Sequence, residues 1–180
     1  LALDDWLFVL QEATRICSRS PDSEERRDFW GWLVEEQAES EFRAGWVDDA
    51  LEHALALEVH QGEREDDAGL LRARCLLGRI AYDKRSFAEA EAWFQACLKS
   101  EIPRADSERI GVQIVAGLGK ALARRGRPDE AEPHLTAALL LAQERDDETL
   151  VAEILLELSE TAERRGDYDL ATGRARRCLV

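Results

Sequence analysis

Apolar residues recur along most of this chain at the three- and four-residue spacing of an amphipathic α-helix. The stretch from Leu71 to Pro103 shows this best, because two such runs meet there at a short turn. The apolar positions of the first run are Leu76, Leu77, Ile80 and Ala81. Those of the second run are Ala90, Phe94, Cys97 and Leu98. Each run predicts a helix with one apolar face, and two such short helices need neighbours to bury those faces.

Seven further runs show the same helical spacing, and no long window alternates apolar and polar residues as a strand would. They cover residues 2–17, 21–42, 46–60, 104–124, 128–143 and 148–165, and a last run starts after Gly166. Ala, Leu, Glu and Arg, which favour helices, dominate the composition, and the chain has only four prolines. The sequence therefore predicts an all-α fold.

Cap residues predict where several of these helices begin and end. Ser20 and Pro21 are residue types preferred at the N-cap and the first position of a helix. Ser86, followed three residues later by Glu89, has the pattern of a capping box. Gly62 marks the predicted end of the third helix.

The helical runs form an internal repeat with a step of 40 or 41 residues. A small or permissive residue of the first helix recurs at Ala38, Gly78, Gly119 and Ser159. The turn residue recurs at Gly45, Arg85, Gly126 and Gly166. A small residue of the second helix recurs at Ala50, Ala90, Ala131 and Ala171. We expect the small residues to let two helix backbones approach closely, and the turn glycines to adopt a left-handed cap.

Two segments resemble tetratricopeptide repeats (TPRs), a helix-turn-helix unit of about 34 residues. They are LLGRIAYDKRSFAEAEAWFQACL and LGKALARRGRPDEAEPHLTAAL, which share the Leu-Gly pair, the alanine after the turn and a large residue four positions later. The longer step is similar to that of the extended subtype in kinesin light chains and bacterial signalling proteins. The resemblance implies a right-handed superhelical array of antiparallel helix pairs. We expect an N-terminal capping helix or remnant repeat over residues 1–20, and four repeats over about 21–63, 64–103, 104–144 and 145–180.

The resemblance also implies that the first helix of each pair lines a concave groove that binds a peptide or partner segment. The candidate contacts on that wall are Arg72, Arg79, Tyr82, Gln113, Lys120 and Arg124. A basic cluster of this kind could hold a carboxylate, an acidic peptide or a phosphate. The alternative is that these cations pair with acids on neighbouring helices, such as Glu35, Glu39 and Glu160.

Tryptophans supply a second candidate contact surface, because exposed Trp side chains often anchor interfaces. Trp30 and Trp32 lie on different faces of one predicted helix, so we expect one of them to be exposed. Packing in the core or between repeats is the alternative role.

Other classes of function find little support. The net charge of −14 opposes nucleic-acid binding, and no apolar run is long enough to cross a membrane. His53 and His60 are two helical turns apart, too far to ligate one metal together. Catalytic motifs are absent, so we expect a non-enzymatic protein without a cofactor. The spacing of the cysteines fits neither zinc nor a disulfide framework, so we expect reduced thiols in a cytoplasmic protein; they are Cys17, Cys75, Cys97 and Cys178.

Two alternatives to a free peptide-binding scaffold stay open. The chain, which has no methionine, could be the ligand-sensing regulatory domain of a larger bacterial signalling or transcription-regulatory protein. It could also be a self-assembly module, because a terminal repeat usually needs a polar cap. In that case the last helix would expose Ala171, Ala175 and Cys178 to a second copy of the chain.

Overall fold

The computed structural model describes residues 3–17, 23–100 and 107–177. These residues form α-helices and the turns between them, as the apolar spacing predicts. The helices are α1 (Leu3–Cys17), α2 (Glu24–Ala44), α3 (Val47–Glu63), α4 (Asp67–Asp83), α5 (Phe87–Lys99), α6 (Ser107–Arg124), α7 (Pro128–Gln143), α8 (Glu148–Arg165) and α9 (Tyr168–Arg177). The all-α prediction is confirmed. The division into four repeats stays a prediction.

The predicted turn column adopts the left-handed conformation at all four positions. The φ angles are 82° at Gly45, 76° at Gly126 and 85° at Gly166, and Arg85 takes φ 60° without the freedom of a glycine. The turns before α4 and α8 contain further left-handed residues, Glu65 and Asp146, with φ 55° and 53°. These two positions have no glycine, so the sequence does not reveal them.

Three predicted helix ends are wrong in detail. Helix α2 begins at Glu24, with the Ser23 side chain accepting a hydrogen bond from the Arg26 N–H; Ser20 and Pro21 lie outside the described residues. Helix α3 continues through Gly62 to Glu63. The Ser86 side chain makes no cap hydrogen bond, so the capping box does not form.

The backbone explains why Ser86 fails where Ser23 succeeds. Ser23 has the extended conformation of an N-cap residue, with ψ 148°, whereas ψ is 61° at Ser86. Ser86 directly follows the left-handed Arg85, and its N–H donates to the Ala81 carbonyl in closing the turn. The geometry of the turn therefore overrides the capping preference of the serine.

The chain divides into two compact units, Leu1–Ile80 (unit 1) and Ala81–Val180 (unit 2), with the boundary inside α4. In unit 1, α2 packs against α1 and α3. Val34 of α2, Leu57 of α3 and Ala73 of α4 form a buried cluster, against which Trp30 packs. The N-terminal helix contributes the buried side chains Leu7 and Leu10.

In unit 2, α5 to α9 pack in chain order, each against the next. A Cβ atom at Gly117 of α6 would overlap the Phe94 ring of α5, so this glycine makes room for the ring. A Cβ atom at Gly119 would come within 2.7 Å of the Leu135 side chain of α7. The small-residue column thus permits the close approach that its spacing predicts.

The last helix pair corrects one expectation about self-assembly. Ala171 of α9 is not uncovered but buried, and the Ser159 hydroxyl of α8 donates to its carbonyl at 2.8 Å. Ala171 therefore belongs to the close contact within the α8–α9 pair. Ala175 is half-buried, and Cys178 lies outside the described residues.

Candidate partner-binding faces

In unit 1, the cations of α4 that face α2 form ion pairs with carboxylates of α2. Arg72 donates to Glu35 at 2.8 Å and Arg79 donates to Glu39 at 2.7 Å. The Arg79 guanidinium also lies 4.9 Å from the centre of the Phe42 ring, a cation–π geometry. Both arginine side chains are about one-third exposed, at 31% and 30%. They are held in fixed positions but remain accessible to a partner.

In unit 2, Arg124 of α6 is the centre of a hydrogen-bonded cluster. Its Nε donates to the Tyr82 hydroxyl at 3.0 Å, and its terminal nitrogens lie 3.1 Å from Glu157 and 2.9 Å from Glu160 of α8. One turn earlier, Lys120 forms an ion pair with Glu153. The structure therefore brings together two of the six predicted contact residues, Tyr82 and Arg124.

Gln113 lies on the same helix, about two turns before Lys120, and is half-buried. All six predicted contact residues are thus on first helices of the helix pairs, two in unit 1 and four in unit 2. Whether they contact a partner stays a prediction. The structure also shows that Arg72, Arg79, Lys120 and Arg124 each face a carboxylate, which gives these faces both signs of charge.

Burial shifts the pKa values of two side chains on these faces. It raises the pKa of Glu35 above its ordinary value, although the charge and hydrogen bond of Arg72 oppose the shift. Burial also raises the pKa of Tyr82, again opposed by the hydrogen bond from Arg124. The pKa of Arg124 is raised chiefly by its hydrogen bond to Tyr82, so this guanidinium stays charged.

A second set of ion pairs in unit 2 joins α5 to the α6–α7 turn, and α7 to both α8 and α9. Glu91 of α5 accepts from Arg125 and Arg127 at the α6–α7 turn. Glu132 of α7, one repeat step later, accepts from Arg165 and from Arg174, the latter at 2.5 Å. The hydrogen bond from Arg174 lowers the pKa of Glu132, against the opposing effect of burial. The carboxylates of these pairs lie on second helices, whereas the predicted contacts lie on first helices.

A buried polar network in unit 1 was not expected from the sequence. Glu41 of α2 is fully buried and accepts from Gln37 Nε2 at 2.9 Å and from His53 Nδ1 at 2.7 Å. The Gln37 Nε2 lies 3.2 Å from His53 Nε2, and the Thr14 hydroxyl of α1 donates to Gln37 Oε1 at 3.0 Å. With the His53 proton on Nδ1, each of these contacts joins a donor to an acceptor.

A sequence signal for this network exists. Gln37 stands in the column that holds Leu77, Leu118 and Leu158 in the later repeats. Glu41 stands in the column that holds Ala81, Leu122 and Ala162. Two polar residues in apolar columns, one helical turn apart, indicate a buried hydrogen-bonded group rather than a surface.

The tryptophans of α2 differ as expected. Trp30 packs against the buried cluster of unit 1, and its ring meets the His60 ring edge-on at 4.5 Å. Trp32 is 49% exposed and stacks on Phe29, with ring centres 5.8 Å apart. Phe29, which the sequence reasoning did not single out, is exposed to the same extent.

Three further observations concern chemistry other than protein binding. Among the residues that the structure describes, no group of three or more His, Cys, Asp and Glu could hold a metal ion. Cys75 and Cys97 are buried cysteines that are not joined by disulfide bonds. In the same part of the chain, no helix combines the length and the apolar character needed to cross a membrane.

Models of the tetratricopeptide repeat match two parts of the chain, residues 71–101 and 112–179. Together they cover more than half of it. The chain belongs to the TPR family. TPR arrays generally act as non-enzymatic scaffolds for protein–protein interaction, which is the level of function that the family establishes here.

Solved structures are similar over nearly the whole chain. The TPR-like repeats of a predicted kinesin light chain from P. anserina match with TM-scores of 0.70 and, in a variant form, 0.72. Identity is 14% in both, over 98% of this chain and 87% and 85% of those chains. BtubC (BKLC) from P. vanneervenii matches with a TM-score of 0.66 and 14% identity, over 99% of this chain and 90% of that one.

At that identity the likeness shows the TPR-like fold and nothing about partners. No protein of curated function matches the chain.

Proposed function

We propose that this TPR chain binds a partner polypeptide, or another segment of its own polypeptide, along the faces of its first helices. The proposed contacts are Arg72, Arg79, Tyr82, Gln113, Lys120 and Arg124. The family supports a scaffold role in general, and the side chains of the first helices support this choice of surface.

The observation that carries the proposal is that these cations are both accessible and held in place. Arg79 is fixed between Glu39 and the Phe42 ring, and its side chain keeps 30% of its surface exposed. A guanidinium that is already ordered loses little side-chain entropy when a partner carboxylate binds. Since each cation has a carboxylate neighbour, a bound acidic group would share or displace that neighbour. We therefore expect recognition of a partner that carries both charges rather than a purely acidic one.

Matched arginines on the same helices allow a test in each unit. In unit 1, Arg79→Gln removes a proposed contact, while Arg74→Gln removes a similar ion pair, to Glu58, on the α3 side of α4. In unit 2, Arg124→Gln is compared with Arg125→Gln, which removes the ion pair with Glu91.

The measurement is quantitative mass spectrometry of proteins retained from cell extract by each immobilised variant. We expect Arg79→Gln and Arg124→Gln to lose the same partner by about tenfold, and Arg74→Gln and Arg125→Gln to keep it. Equal retention by all four variants, or loss in the Arg74 and Arg125 variants alone, would show that the first helices are not the binding surface. Thermal unfolding of all four separates loss of contact from loss of fold.

A further inference from the structure

An exposed aromatic pair interrupts the charged surface of α2 in unit 1. Phe29 and Trp32 stack at an interplanar angle of 17°, and each is 49% exposed. Trp30, between them in sequence, faces the core instead. Two large stacked rings that are half in water form an apolar surface to which a partner can bind.

Carboxylates lie on both sides of this pair on the same face of the helix. Glu25 precedes Phe29 by four residues and Glu36 follows Trp32 by four, so each lies one turn from a ring. In the described part of the chain, neither carboxylate has a cationic partner, whereas Asp28, Glu35 and Glu39 are paired with arginines. The face thus presents two rings between two carboxylates that form no ion pair with any described cation.

We propose that this face of α2, formed by Glu25, Phe29, Trp32 and Glu36, binds a partner segment with two basic residues, arginine by preference, on either side of an apolar residue. The inference rests on the proposed polypeptide-binding function, but it adds a site that the six predicted contacts do not include. Arginine fits because its planar guanidinium stacks on an aromatic ring while it donates to a carboxylate. The net charge of −14 favours a basic partner at long range.

The length of the face sets the spacing of the two basic residues. Glu25 and Glu36 are eleven positions apart, which corresponds to about 16 Å along a helix. An extended chain covers that length in about five residues. Side chains of an extended chain alternate between its two faces, so side chains that all point to α2 lie at every second position. The partner segment therefore has its basic residues four positions apart, about 13 Å, with the apolar residue midway over the Phe29–Trp32 pair, and the long basic side chains cover the remaining distance.

The test is titration of the whole chain with a fluorescein-labelled extended peptide, followed by fluorescence anisotropy at low and high salt. The peptide has arginines four positions apart and a leucine midway, so that all three side chains point to one face when the peptide is extended. In the matched peptide glutamates replace the arginines. We expect the arginine peptide to bind at least tenfold more tightly, with an affinity that falls as salt rises. Trp32→Ala, and Glu25→Gln combined with Glu36→Gln, are each expected to weaken binding about tenfold. Trp46→Ala and Glu24→Gln, which change an exposed tryptophan and a glutamate off this face, should not.

Equal binding of the two peptides, or unchanged affinity in the double Gln variant, would overturn the inference. Circular dichroism verifies that each variant keeps its helices, and Gln preserves the shape of Glu. The outcome is separable from that of the proposed function. The Arg79 and Arg124 variants keep this face, so they can lose their partner while the arginine peptide still binds. Conversely, Trp32→Ala can lose the arginine peptide while it retains that partner.

Discussion

The three-helix groups α1–α2–α3 in unit 1 and α5–α6–α7 in unit 2 fill equivalent positions with different chemistry. In unit 2 the Phe94 ring of α5 lies over Gly117, and Leu118 and Leu122 of α6 are buried. Two repeat steps earlier, the same positions hold Thr14, Gln37 and Glu41. One group therefore has apolar packing where the other has a hydrogen-bonded network.

The difference shows what apolar packing and a buried hydrogen-bonded network each contribute to stability and to helix register. Apolar packing stabilises in proportion to the surface that it removes from water. A buried network contributes little net stability, but a wrong register leaves its donors and acceptors unpaired. Within the described residues every buried side-chain nitrogen and oxygen has a hydrogen-bond partner. Unit 1 thus gives up some stability for a defined register of α1 on α2.

The largest effect is expected at the aromatic position of unit 2. Phe94 is 1% exposed, and Phe94→Ala leaves a cavity over Gly117 because the backbone there cannot collapse fully. We expect a loss of about 3–5 kcal/mol in the free energy of unfolding, measured by urea denaturation. The control is Phe87→Ala, at a partly exposed ring that meets Tyr82 edge-on, which should cost much less. A loss below about 1 kcal/mol for Phe94→Ala would contradict the packing account.

The next effect concerns the network of unit 1. Glu41→Leu removes the acceptor of two hydrogen bonds, and we expect it to cost about 2–3 kcal/mol, because Gln37 and His53 each keep an unpaired donor. Replacing Gln37, Glu41 and His53 together by Leu should cost less than Glu41→Leu alone, since only the part-buried Thr14 hydroxyl then loses its partner. Urea denaturation of the single and triple variants measures both. Additive losses would show that the three side chains do not act as a network.

A smaller effect is expected at the turn residues, two of which can be compared directly within unit 2. Arg85→Gly gives a left-handed position the residue that Gly45, Gly126 and Gly166 already have. We expect stabilisation of up to about 1 kcal/mol, and a loss of about 1 kcal/mol for Gly126→Ala. Thermal unfolding measures both changes. A destabilised Arg85→Gly variant would indicate that the arginine side chain makes an important contact.

The smallest effects concern how single carboxyl groups make the free energy of unfolding depend on pH. The pH dependence has opposite signs for Glu132 in unit 2 and Glu35 in unit 1. Glu132 has a lowered pKa, so its contribution to stability is present above the usual glutamate pKa of about 4 and is lost as the pH falls through the lowered value. Glu35 has a raised pKa, so its contribution is present below the usual value and is lost as the pH rises through the raised one.

Side-chain carbon NMR resolves these two midpoints, and we expect Glu35 to titrate at higher pH than Glu132. Arg174→Gln should raise the Glu132 midpoint and leave that of Glu35 unchanged. The reverse order of the two midpoints would contradict the assigned causes.

Helix positions and the repeat follow from the sequence because they depend on local spacing and on backbone conformation. The turn column from Gly45 to Gly166 is such a case, and so is the close contact at Gly119. The ion pairs do not follow, because Arg72 meets Glu35 and Arg124 meets Glu157 only through the packing of different helices. Ser86 shows a different limit of prediction from sequence. Its sequence pattern is that of a capping box, but the turn before it prevents the cap hydrogen bond.

The central claim is that a partner polypeptide binds to first helices, and two leucines of unit 2 test it most directly. Leu156 on the first helix α8 is 53% exposed, and Leu140 on the second helix α7 is 57% exposed. A photo-crosslinking amino acid at each position, followed by mass spectrometry after irradiation with cell extract, measures which face a partner contacts. We expect a defined partner adduct from position 156 and little from position 140. A partner adduct from position 140 with none from position 156 would contradict the claim.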